Sequence, residues 1–335
     1  MRIAVDAMGG DYAPLEIVKG ALEAARLEIA EILLVGNRPE LESLLRKLGP
    51  AGSISVIDAR ESISGSEAPA YAVHKKNDSS IMVATQLVKE GRAEALVSAG
   101  STGAQMASAL LCLGRLPGIK RPAIATVIPT LGNPLVLIDS GANTQSSAEN
   151  LWQFALMGSK YAELILGCRQ PRVALLNIGS EENKGTETVK QAYQLLQASR
   201  LNFVGNVEGR DLMEGAADVV VCDGFTGNIV LKVIEGVSLT LLKLIGEFFV
   251  DSAAGQLVDL AQLRQLRARF DYSNYGGAPL LGVNGISIIC HGSSKHEAIT
   301  NAIKVAVDCV EQKLVERLCE GGSLQGDGEV AIQKQ

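Results

Sequence analysis

The stretch "VDAMGGDYAP" (residues 5–14) takes this chain from its first predicted strand to its first predicted helix. The apolar residues Ile3, Ala4 and Val5 lead into an acid, two glycines and a second acid, and an apolar, helix-like pattern follows at once. Gly9 and Gly10 allow the backbone to bend sharply and to expose its N–H groups. Two interpretations are open at this point: a plain turn, or one wall of a binding site.

The same change from strand to helix recurs along most of the chain. Such alternation is typical of βαβ units and of a mostly parallel sheet covered by helices on both faces. The pattern therefore predicts a three-layer, Rossmann-like α/β fold. Strands are predicted at 3–6, 32–35, 54–57, 95–98, 123–128, 136–138, 173–177, 202–204, 219–222 and 286–289. Helices are predicted at 15–27, 40–48, 105–113, 148–166 and 186–196.

Glycine-containing motifs follow many of these strands. In open α/β sheets ligands bind beyond the carboxyl ends of the strands, so we expect the motifs to meet at one edge of the sheet. Together they would form a polar pocket rich in backbone N–H groups, which suits an anion such as phosphate. The motifs are "DAMGGD" (6–11), "SAGSTGA" (98–104), "DSGAN" (139–143), "NIGSEENKGTE" (177–187), "CDGFTGN" (222–228) and "HGSS" (291–294).

Composition narrows the class of protein. The chain has 335 residues with a net charge of −6 and no block of lysine and arginine, so a nucleic-acid partner is not expected. Its six cysteines form no CxxC pair and it has three histidines, a pattern that favours reduced thiols and makes a metal centre hard to build. The strand-like N-terminus predicts a protein without a signal peptide.

The predicted organisation is one α/β domain over residues 1–319 and a polar, glycine-rich, flexible tail over 320–335. Residues 227–270 are predicted to form a protruding amphipathic helix pair. Its apolar faces and arginine-rich rim fit an interfacial contact with anionic lipid, and a dimer interface or a packed hairpin fits equally. The residues assigned to membrane or acyl-chain contact are Val230, Ile234, Leu241, Ile245, Leu257 and Leu260.

The residues indicate a site that binds an anion and stabilises an oxyanion without a covalent nucleophile. The chain lacks the G-x-S-x-G elbow of hydrolases, and no G-x-G-x-x-G follows its first strand. Lys184, Asn183, His291 and Asn228 remain as groups that could hold phosphate and stabilise an oxyanion. Each also has a plain structural interpretation, as a solvated loop residue, a helix cap or a turn residue.

Several motifs in this order together resemble the bacterial acyl-acyl-carrier-protein:phosphate acyltransferases of phospholipid synthesis. The resemblance covers about residues 1–318. Its most specific parts are the opening "MRIAVDAMGGDYAP" and "YGGAPLLGVNG" (275–285). It is also carried by "DSSIMVATQLVKEGRAEALVSAGSTGA" (78–104), "NIGSEENKGTE" and "VVVCDGFTGNIVLK" (219–232).

The resemblance implies that inorganic phosphate attacks the thioester of a fatty acyl-acyl carrier protein. The products would be free carrier protein and acyl phosphate, which passes to a membrane glycerol-3-phosphate acyltransferase. It also implies a fold like that of phosphate acetyltransferases and isocitrate dehydrogenases, a homodimer, and a cytoplasmic location with peripheral membrane association. Neither the resemblance nor the residues call for a cofactor or a metal.

Roles within the site follow as predictions. Lys184, assisted by Asn183 and Asn228, would hold phosphate. His291 or the N–H groups of "HGSS" would donate hydrogen bonds to the oxyanion. Asp6 and Asp11 are predicted to organise neighbouring glycine turns. The other predicted phosphate or substrate contacts are Gly9, Gly10, Asp11, Ser101, Thr102, Gly103, Asn143, Gly179, Asp223, Gly224 and Ser293. Candidate docking charges for the acidic carrier protein are Lys75, Lys76, Lys120, Arg121 and the arginines of 264–269.

Two other functions stay open from the sequence. A short-chain phosphotransacetylase that uses coenzyme A would need the same glycine turns, although the apolar helix pair does not favour it. A lipid-binding membrane adaptor without catalysis would bind vesicles and release no thiol in the presence of phosphate.

Overall fold

A computed structural model describes residues 1–49, 52–251 and 276–320 of the chain. All ten predicted strands are confirmed, with ends that differ by at most a few residues. The second half of the predicted helix pair and the predicted tail from residue 321 onward lie outside the described residues. Within the described ranges, no helix combines the length and apolar content needed to cross a bilayer.

Strands and helices alternate along most of the chain. The strands are β1 (Arg2–Asp6), β2 (Glu31–Gly36), β3 (Ile54–Asp58), β4 (Ala95–Ser98), β5 (Ala123–Ile128), β6 (Leu135–Ile138), β7 (Val173–Leu176), β8 (Phe203–Val207), β9 (Val219–Val221), β10 (Ala278–Leu281) and β11 (Ile286–Ile289). The helices are α1 (Leu15–Arg26), α2 (Arg38–Leu48), α3 (Pro69–Lys75), α4 (Ser80–Lys89), α5 (Thr102–Cys112), α6 (Ala148–Ile165), α7 (Glu187–Gln197), α8 (Gly224–Asp251), α9 (His296–Glu311) and α10 (Leu314–Glu320), with a 3-10 helix at Gly209–Glu214.

One sheet in the order β3-β2-β1-β4-β11-β10-β5-β6-β9-β7-β8 joins all the described strands. Most neighbours in this sheet are parallel, as predicted, but three pairings at its centre are antiparallel: β11 with β10, β10 with β5, and β5 with β6. As a result β1 to β5 and β11 run in one direction, and β6 to β10 run in the other.

This reversal corrects the expectation that all six glycine motifs share one edge of the sheet. The motifs after β1, β4 and β11 lie at one edge, which we call the β1 edge. Those after β6, β7 and β9 lie at the opposite edge, the β6 edge. The physical reason is the length of the connections. Residues 129–134 and 282–285 are too few for a parallel crossover, which needs a dozen or more residues, and each makes a hairpin instead.

Strand β10 was not predicted from the sequence. Its residues form part of the "YGGAPLLGVNG" motif and include Pro279, which lacks an N–H for the ladder and so argues against a central strand. Pro279 nevertheless pairs with Ile288 of β11, and Leu280 pairs with Ile124 of β5. The pairing places the proline in the middle of the sheet.

Helices cover both faces of the sheet, which confirms the three layers. One face packs against α1, α6 and α9, where Phe154 and Tyr161 are fully buried. The opposite face packs against α3, α4 and α5 beside β1 and β4, and against α8 beside β6 and β9. The core is built mainly of aliphatic side chains and alanine, as the low aromatic content of 4% predicts.

Helix α8 begins in close contact with the turn that follows β6. The backbone N–H of Gly224 donates to the carbonyl oxygen of Asn143 at 2.7 Å. A Cβ added at Gly224 would lie 2.7 Å from the Asn143 backbone nitrogen, and one added at Gly227 would collide with the carbonyl oxygen of Asp139. Glycine is therefore required at both positions by close approach of the backbones.

We predict that Gly227→Ala lowers the free energy of unfolding by about 1–3 kcal/mol, the usual cost of overpacking. Gly236→Ala is the matched control on the same helix, because no heavy atom lies within 4 Å of the added Cβ. There the higher helix propensity of alanine should raise the free energy of unfolding by up to about 1 kcal/mol. Urea unfolding of the two variants measures both effects. Equal shifts in the same direction would contradict the packing described here.

Candidate active site

A cleft of about 490 Å³ crosses one face of the sheet along β5. Its lining includes Ile124 near the start of β5 and Ile128 at its end, so the cleft spans about 14 Å of strand. Because β5 lies where the strand direction reverses, the cleft connects the two edges of the sheet. Glycine turns from both edges therefore contribute to one cavity.

Each end of the cleft carries polar groups. Thr102, His291 and Gly292 line it at the β1 edge. Ser140, Gly141, Thr144, Gly224 and Asn228 line it toward the β6 edge. Of the predicted site residues, the structure thus brings Thr102, Gly224, Asn228 and His291 to one cleft.

Apolar side chains line the cleft beside these polar groups. Ile128 and Pro129 contribute from the end of β5, and Phe225, Leu231 and Ile234 contribute from α8. Ile128, Leu231 and Ile234 also belong to the apolar cluster under α8. This arrangement offers a long apolar wall directly beside polar groups.

Two hydroxyl groups in the cleft were missed by the sequence analysis. Thr126 Oγ1 and Ser140 Oγ lie 2.6 Å apart, and Ser140 is only 5% exposed. Ser140 belongs to the "DSGAN" motif, so its position after a strand was the available signal. Thr126 lies inside a predicted strand, where a threonine normally indicates strand propensity alone.

His291 has a defined tautomer. The backbone N–H of Ser293 donates to His291 Nδ1 at 3.2 Å, and Ser293 Oγ lies 2.7 Å from the same nitrogen. Since Nδ1 accepts a hydrogen bond, the N–H that the ring can donate lies on Nε2. The predicted residue Ser293 thus orients His291, which lines the cleft.

Asp6 links the turns of the β1 edge through hydrogen bonds, as predicted. Its Oδ2 accepts from Ser98 Oγ at 2.7 Å, its Oδ1 accepts from the Met8 N–H at 3.2 Å, and Ser98 Oγ accepts from the Gly100 N–H at 3.0 Å. Burial raises the pKa of the Asp6 carboxyl, while these hydrogen bonds act in the opposite direction. The glycines of "DAMGGD" and "SAGSTGA" pack around it, because a Cβ at Gly9 would lie 2.6 Å from Asp6 Oδ2.

Asp139, which the sequence analysis missed, holds the turn after β6 through hydrogen bonds to its carboxylate. Its carboxylate is fully buried and accepts from the backbone N–H groups of Ile124, Gly141, Ala142 and Asn143 and from Asn143 Nδ2, at 2.8–3.1 Å. Burial raises the pKa of Asp139, and the N–H donors oppose that shift. Because both oxygens already accept hydrogen bonds, this geometry fits the ionised carboxylate.

Several predicted site residues support the walls of the cleft. Asn143 is buried and donates through Nδ2 to the Pro122 carbonyl oxygen at 2.7 Å. Asp223 caps α8, because its Oδ1 accepts from the Thr226 N–H at 2.9 Å. Ser101 caps α5, and Gly103 packs against Pro69. At the β1 edge, the Asp11 N–H donates to the Gly292 carbonyl oxygen at 2.8 Å, and Gly10 packs against Ala99.

Lys184, Asn183 and Gly179 lie in the loop after β7 and, among the described residues, are not part of the cleft lining. The side chain of Lys184 is 47% exposed, and its Nζ lies 3.8 Å from Glu181 Oε1. The structure of one chain therefore does not bring Lys184 together with His291. Its role in phosphate binding stays a prediction.

Among the cysteines of the described residues, Cys290 lines the cleft. Burial raises the pKa of its thiol to about 12. A thiol with that pKa is protonated at neutral pH and is a poor nucleophile. Cys290 is therefore not set up as a nucleophile. No group of three His, Cys, Asp or Glu side chains in the described residues could hold a metal ion.

The fold is that of known phosphotransacetylases. A phosphotransacetylase from Streptococcus pyogenes superposes with a TM-score of 0.65 at 20% identity, covering 93% of this chain and 94% of that one. The EutD phosphotransacetylase from Staphylococcus aureus gives a TM-score of 0.61 at 18% identity, covering 92% and 94%. At this level of identity the likeness describes the fold alone.

Sequence comparison defines the family. The model described as "Fatty acid synthesis protein" matches residues 1–317. The phosphate acyltransferase of Heliobacterium modesticaldum is 56% identical over 325 residues, which cover 96% of this chain and 97% of the relative. That of Moorella thermoacetica is 54% identical over 337 residues, covering 100% and 98%. The chain therefore belongs to the fatty acid synthesis protein family, as its resemblance to phosphate acyltransferases predicted.

The N-terminus of α9, which follows "HGSS", is held to α1 by hydrogen bonds to Glu16. Glu16 Oε2 accepts from the backbone N–H of His296 at 3.1 Å and lies 2.9 Å from His296 Nδ1, and Lys19 Nζ donates to Oε1 at 2.7 Å. The hydrogen bond from Lys19, followed by those from His296, lowers the pKa of Glu16 from 4.5 to about 2. The ionised form is thus the one that stabilises the fold.

We predict that Glu16 contributes stability above pH 4.5, its ordinary pKa, and that this contribution is lost as pH falls toward 2. Glu16→Gln should therefore be less stable than the wild type at neutral pH, and the difference should shrink in acid. Urea midpoints measured across this pH range test this. Glu163→Gln, which removes an exposed ion pair with Lys160, is the control and should have little effect at any pH. A constant difference between Glu16→Gln and wild type would contradict the assignment.

Proposed function

We propose that this protein is a phosphate acyltransferase. It makes acyl phosphate from a fatty acyl-acyl carrier protein and inorganic phosphate, for phospholipid (phosphatidic acid) synthesis. The family and the phosphate acyltransferase relatives at 46–56% identity support the reaction. The observation that carries it is the cleft, in which an imidazole and turns rich in N–H groups adjoin the apolar wall of α8.

The reaction is a direct displacement at the thioester carbonyl. A phosphate oxygen forms a bond to the carbonyl carbon, and the carbonyl oxygen gains negative charge. The C–S bond then breaks, and the sulfur leaves as the thiolate of the carrier protein, which takes up a proton from solvent. Phosphate is already a nucleophile at neutral pH, so holding it against the thioester supplies much of the rate.

His291 is the proposed oxyanion donor. With Nδ1 accepting from the Ser293 N–H, the imidazole carries its N–H on Nε2. A preorganised N–H donor stabilises the charge that develops on the carbonyl oxygen and needs no proton transfer. The hydroxyl of Ser293 supports this role, because it lies within hydrogen-bond distance of the same ring nitrogen.

Phosphate is proposed to bind in the same cleft. Thr102 lines the cleft at the β1 edge, as His291 does, and its hydroxyl can donate to a phosphate held against a carbonyl at His291. Asn228, which lines the cleft toward the β6 edge, remains a predicted phosphate ligand. Lys184 and Asn183 remain predicted phosphate ligands from the loop after β7. The acyl chain is proposed to lie along the apolar wall, beside Ile128, Leu231 and Ile234.

Phosphate-dependent release of carrier-protein thiol from palmitoyl-acyl carrier protein tests the reaction. We expect His291→Ala to lower kcat by about 100-fold or more, the typical cost of losing one oxyanion donor. Lys184→Ala should raise the KM for phosphate, because it removes a cation from the predicted ligands. His74→Ala, which changes an exposed histidine on α3, is the control and should keep kcat.

Full activity of both the His291→Ala and the Lys184→Ala variants would overturn the residue assignment. Thiol release that is equal with and without phosphate would overturn the reaction itself and return the protein to the adaptor hypothesis. Preference for acetyl-coenzyme A over palmitoyl-acyl carrier protein would favour a short-chain phosphotransacetylase.

A homodimer built through α8 is also proposed. Helix α8 has a second apolar stripe that faces away from its packed side, with Ile229, Val233, Val237, Leu241 and Leu244 each about half exposed. Large apolar patches on a monomer mark interaction sites, and a second copy of the chain would cover this stripe. A solution mass of one chain, 35.3 kDa, would contradict the proposal.

The protein is proposed to be cytoplasmic and peripherally bound to membrane through residues 227–270. Of the predicted contact residues, Leu241 is 52% exposed, and Val230, Ile234 and Ile245 are partly buried. Leu257 and Leu260 lie outside the described residues. Membrane contact would place the product, acyl phosphate, beside a membrane glycerol-3-phosphate acyltransferase that consumes it.

We predict that the protein binds vesicles that contain anionic lipid and that binding weakens with salt, because arginine–lipid attraction is screened. Leu257→Glu with Leu260→Glu should abolish vesicle binding and keep phosphate-dependent activity in solution. Leu111→Glu is the control, since Leu111 is an exposed leucine on α5. If the double variant sediments with vesicles as the wild type does, the segment serves the dimer or the core instead.

A further inference from the structure

We propose that Lys232 of α8 is a cation that holds phosphate in the cleft, and that Glu235 positions its ammonium group. The inference rests on the proposed function, since it adds to that reaction a residue that contacts the second substrate. It follows from the end of the cleft at which Lys232 and His291 both lie.

Lys232 supplies a positive charge to the wall of the cleft. Among the described residues that line it, no other is a lysine or an arginine. Asn228 lies one turn earlier on the same face of α8 and Glu235 lies one turn later, and both also line the cleft. Lys184, the lysine predicted from the sequence, follows β7 and belongs to the β6 edge. Lys232 is therefore the better placed of these two lysines for an anion bound inside the cleft.

Helix α8 carries Lys232 away from the β6 edge. The helix begins beside the turn after β6, and Leu231 and Ile234 pack in one cluster with Ile128 at the far end of β5. At about 1.5 Å per residue, Lys232 lies about 12 Å along the helix from Gly224. That distance is most of the about 14 Å of β5 that the cleft spans. Lys232 thus lies near the Ile128 end of the cleft, which is the β1 edge.

The strand register places His291 at the same end. The pairings of β10 with β11 and with β5 put Ile289 level with Thr126. Because β5 and β11 run in the same direction, His291, two residues after Ile289, lies at the level of Ile128, two residues after Thr126. Strands β5 and β11 are separated by β10 and therefore by about 10 Å. His291 and Lys232 line this end of the cleft from the β11 side and the α8 side respectively.

This placement matches the geometry that the reaction needs. A phosphate oxygen has to come within about 3–3.5 Å of the carbonyl carbon, so phosphate and thioester must bind at one end of the cleft. His291 would donate to the carbonyl oxygen, and the ammonium of Lys232 would contact the phosphate whose oxygen forms the new bond as the C–S bond breaks. Thr102 lines the same end and can donate a further hydrogen bond to phosphate.

Glu235 directs the ammonium and also opposes the anion. Lys232 Nζ donates to Glu235 Oε2 at 2.7 Å, and the glutamate side chain is only 15% exposed. The carboxylate takes one of the three ammonium N–H donors and leaves two for phosphate. The pair is neutral as a whole, so attraction depends on the ammonium lying nearer to phosphate than the carboxylate does. Loss of the lysine charge and loss of the glutamate charge should therefore change phosphate affinity in opposite directions.

The test measures thiol release from palmitoyl-acyl carrier protein while the phosphate concentration is varied. Lys232→Gln should raise the KM for phosphate by about 10-fold or more, the usual effect of losing a charged hydrogen bond, and keep the KM for the carrier protein within about twofold. Glu235→Gln keeps an oxygen that can accept from Lys232 but removes the negative charge, so it should lower the KM for phosphate. Titration of the protein with inorganic phosphate in a calorimeter should give the same order of affinities.

The matched controls are Lys160→Gln and Glu163→Gln on α6. Lys160 Nζ lies 2.9 Å from Glu163 Oε2, so this pair has the same i,i+3 spacing as Lys232 and Glu235 but lies on the opposite face of the sheet. Both control variants should keep the KM for phosphate within about twofold. Thermal unfolding shows whether each variant keeps its fold, and Glu235→Gln decides the proposal if Lys232→Gln does not fold.

An unchanged KM for phosphate in Lys232→Gln would overturn the assignment. An equal rise in that KM in Lys232→Gln and Glu235→Gln would also overturn it, because the pair would then serve the stability of α8. A rise confined to the KM for the carrier protein would assign Lys232 to docking instead. A wild-type protein that releases no thiol in response to phosphate would overturn the proposed function, whereas weaker calorimetric binding of phosphate to Lys232→Gln would still support the phosphate site.

Discussion

Two buried carboxylates hold the loops from which the cleft is built. Asp6 ends β1 and Asp139 directly follows β6, and each accepts hydrogen bonds from the turn that comes after it. A buried carboxylate is costly unless hydrogen bonds compensate it, so each turn folds around its acid in one arrangement. Glycine is needed where these backbones approach closely, as at Gly9 and Gly224. Buried hydrogen bonds and close backbone packing thus define where each turn presents its N–H groups and side chains.

The reversal of strand direction turns these two separate edges into one site. In an all-parallel sheet, Asp6 and Asp139 would fasten turns at the same edge, and a ligand would sit beyond the strand ends. Here β5 and β10 run antiparallel to their neighbours, and the groove over β5 connects the two edges. A long, narrow substrate suits such a groove better than a compact one does. The apolar wall of α8 lines the same groove beside the polar groups, so a fatty chain could lie along it.

Much of the fold was predictable because it depends on local patterns. Ten strands and the layers follow from apolar periodicity, which the sequence displays directly. The reversal depends on the six-residue connection at 129–134, whose length forbids a crossover, but strand-helix alternation elsewhere outweighed that signal. Along the cleft, His291 and Asn228 could be named from the sequence because they belong to glycine motifs, whereas Thr126 lies within a strand and becomes part of the cleft only through tertiary packing. Asp139 was missed because a buried acid and an exposed one look the same in sequence.

The groups around the cleft favour one chemical route over another. Acyl transfer through an enzyme-bound intermediate needs a nucleophile with a lowered pKa or an adjacent base. Cys290, the thiol at hand, has its pKa raised by burial, and His291 Nδ1 is occupied by the Ser293 N–H, so this imidazole is set up as a donor and not as a base. Direct attack by phosphate needs neither. It needs a bound anion, a donor for the oxyanion and a good leaving group, and a thioester provides the last of these. The proposed direct transfer, in which the second substrate is itself the nucleophile, therefore makes no demand that Cys290 or His291 Nδ1 would fail to meet.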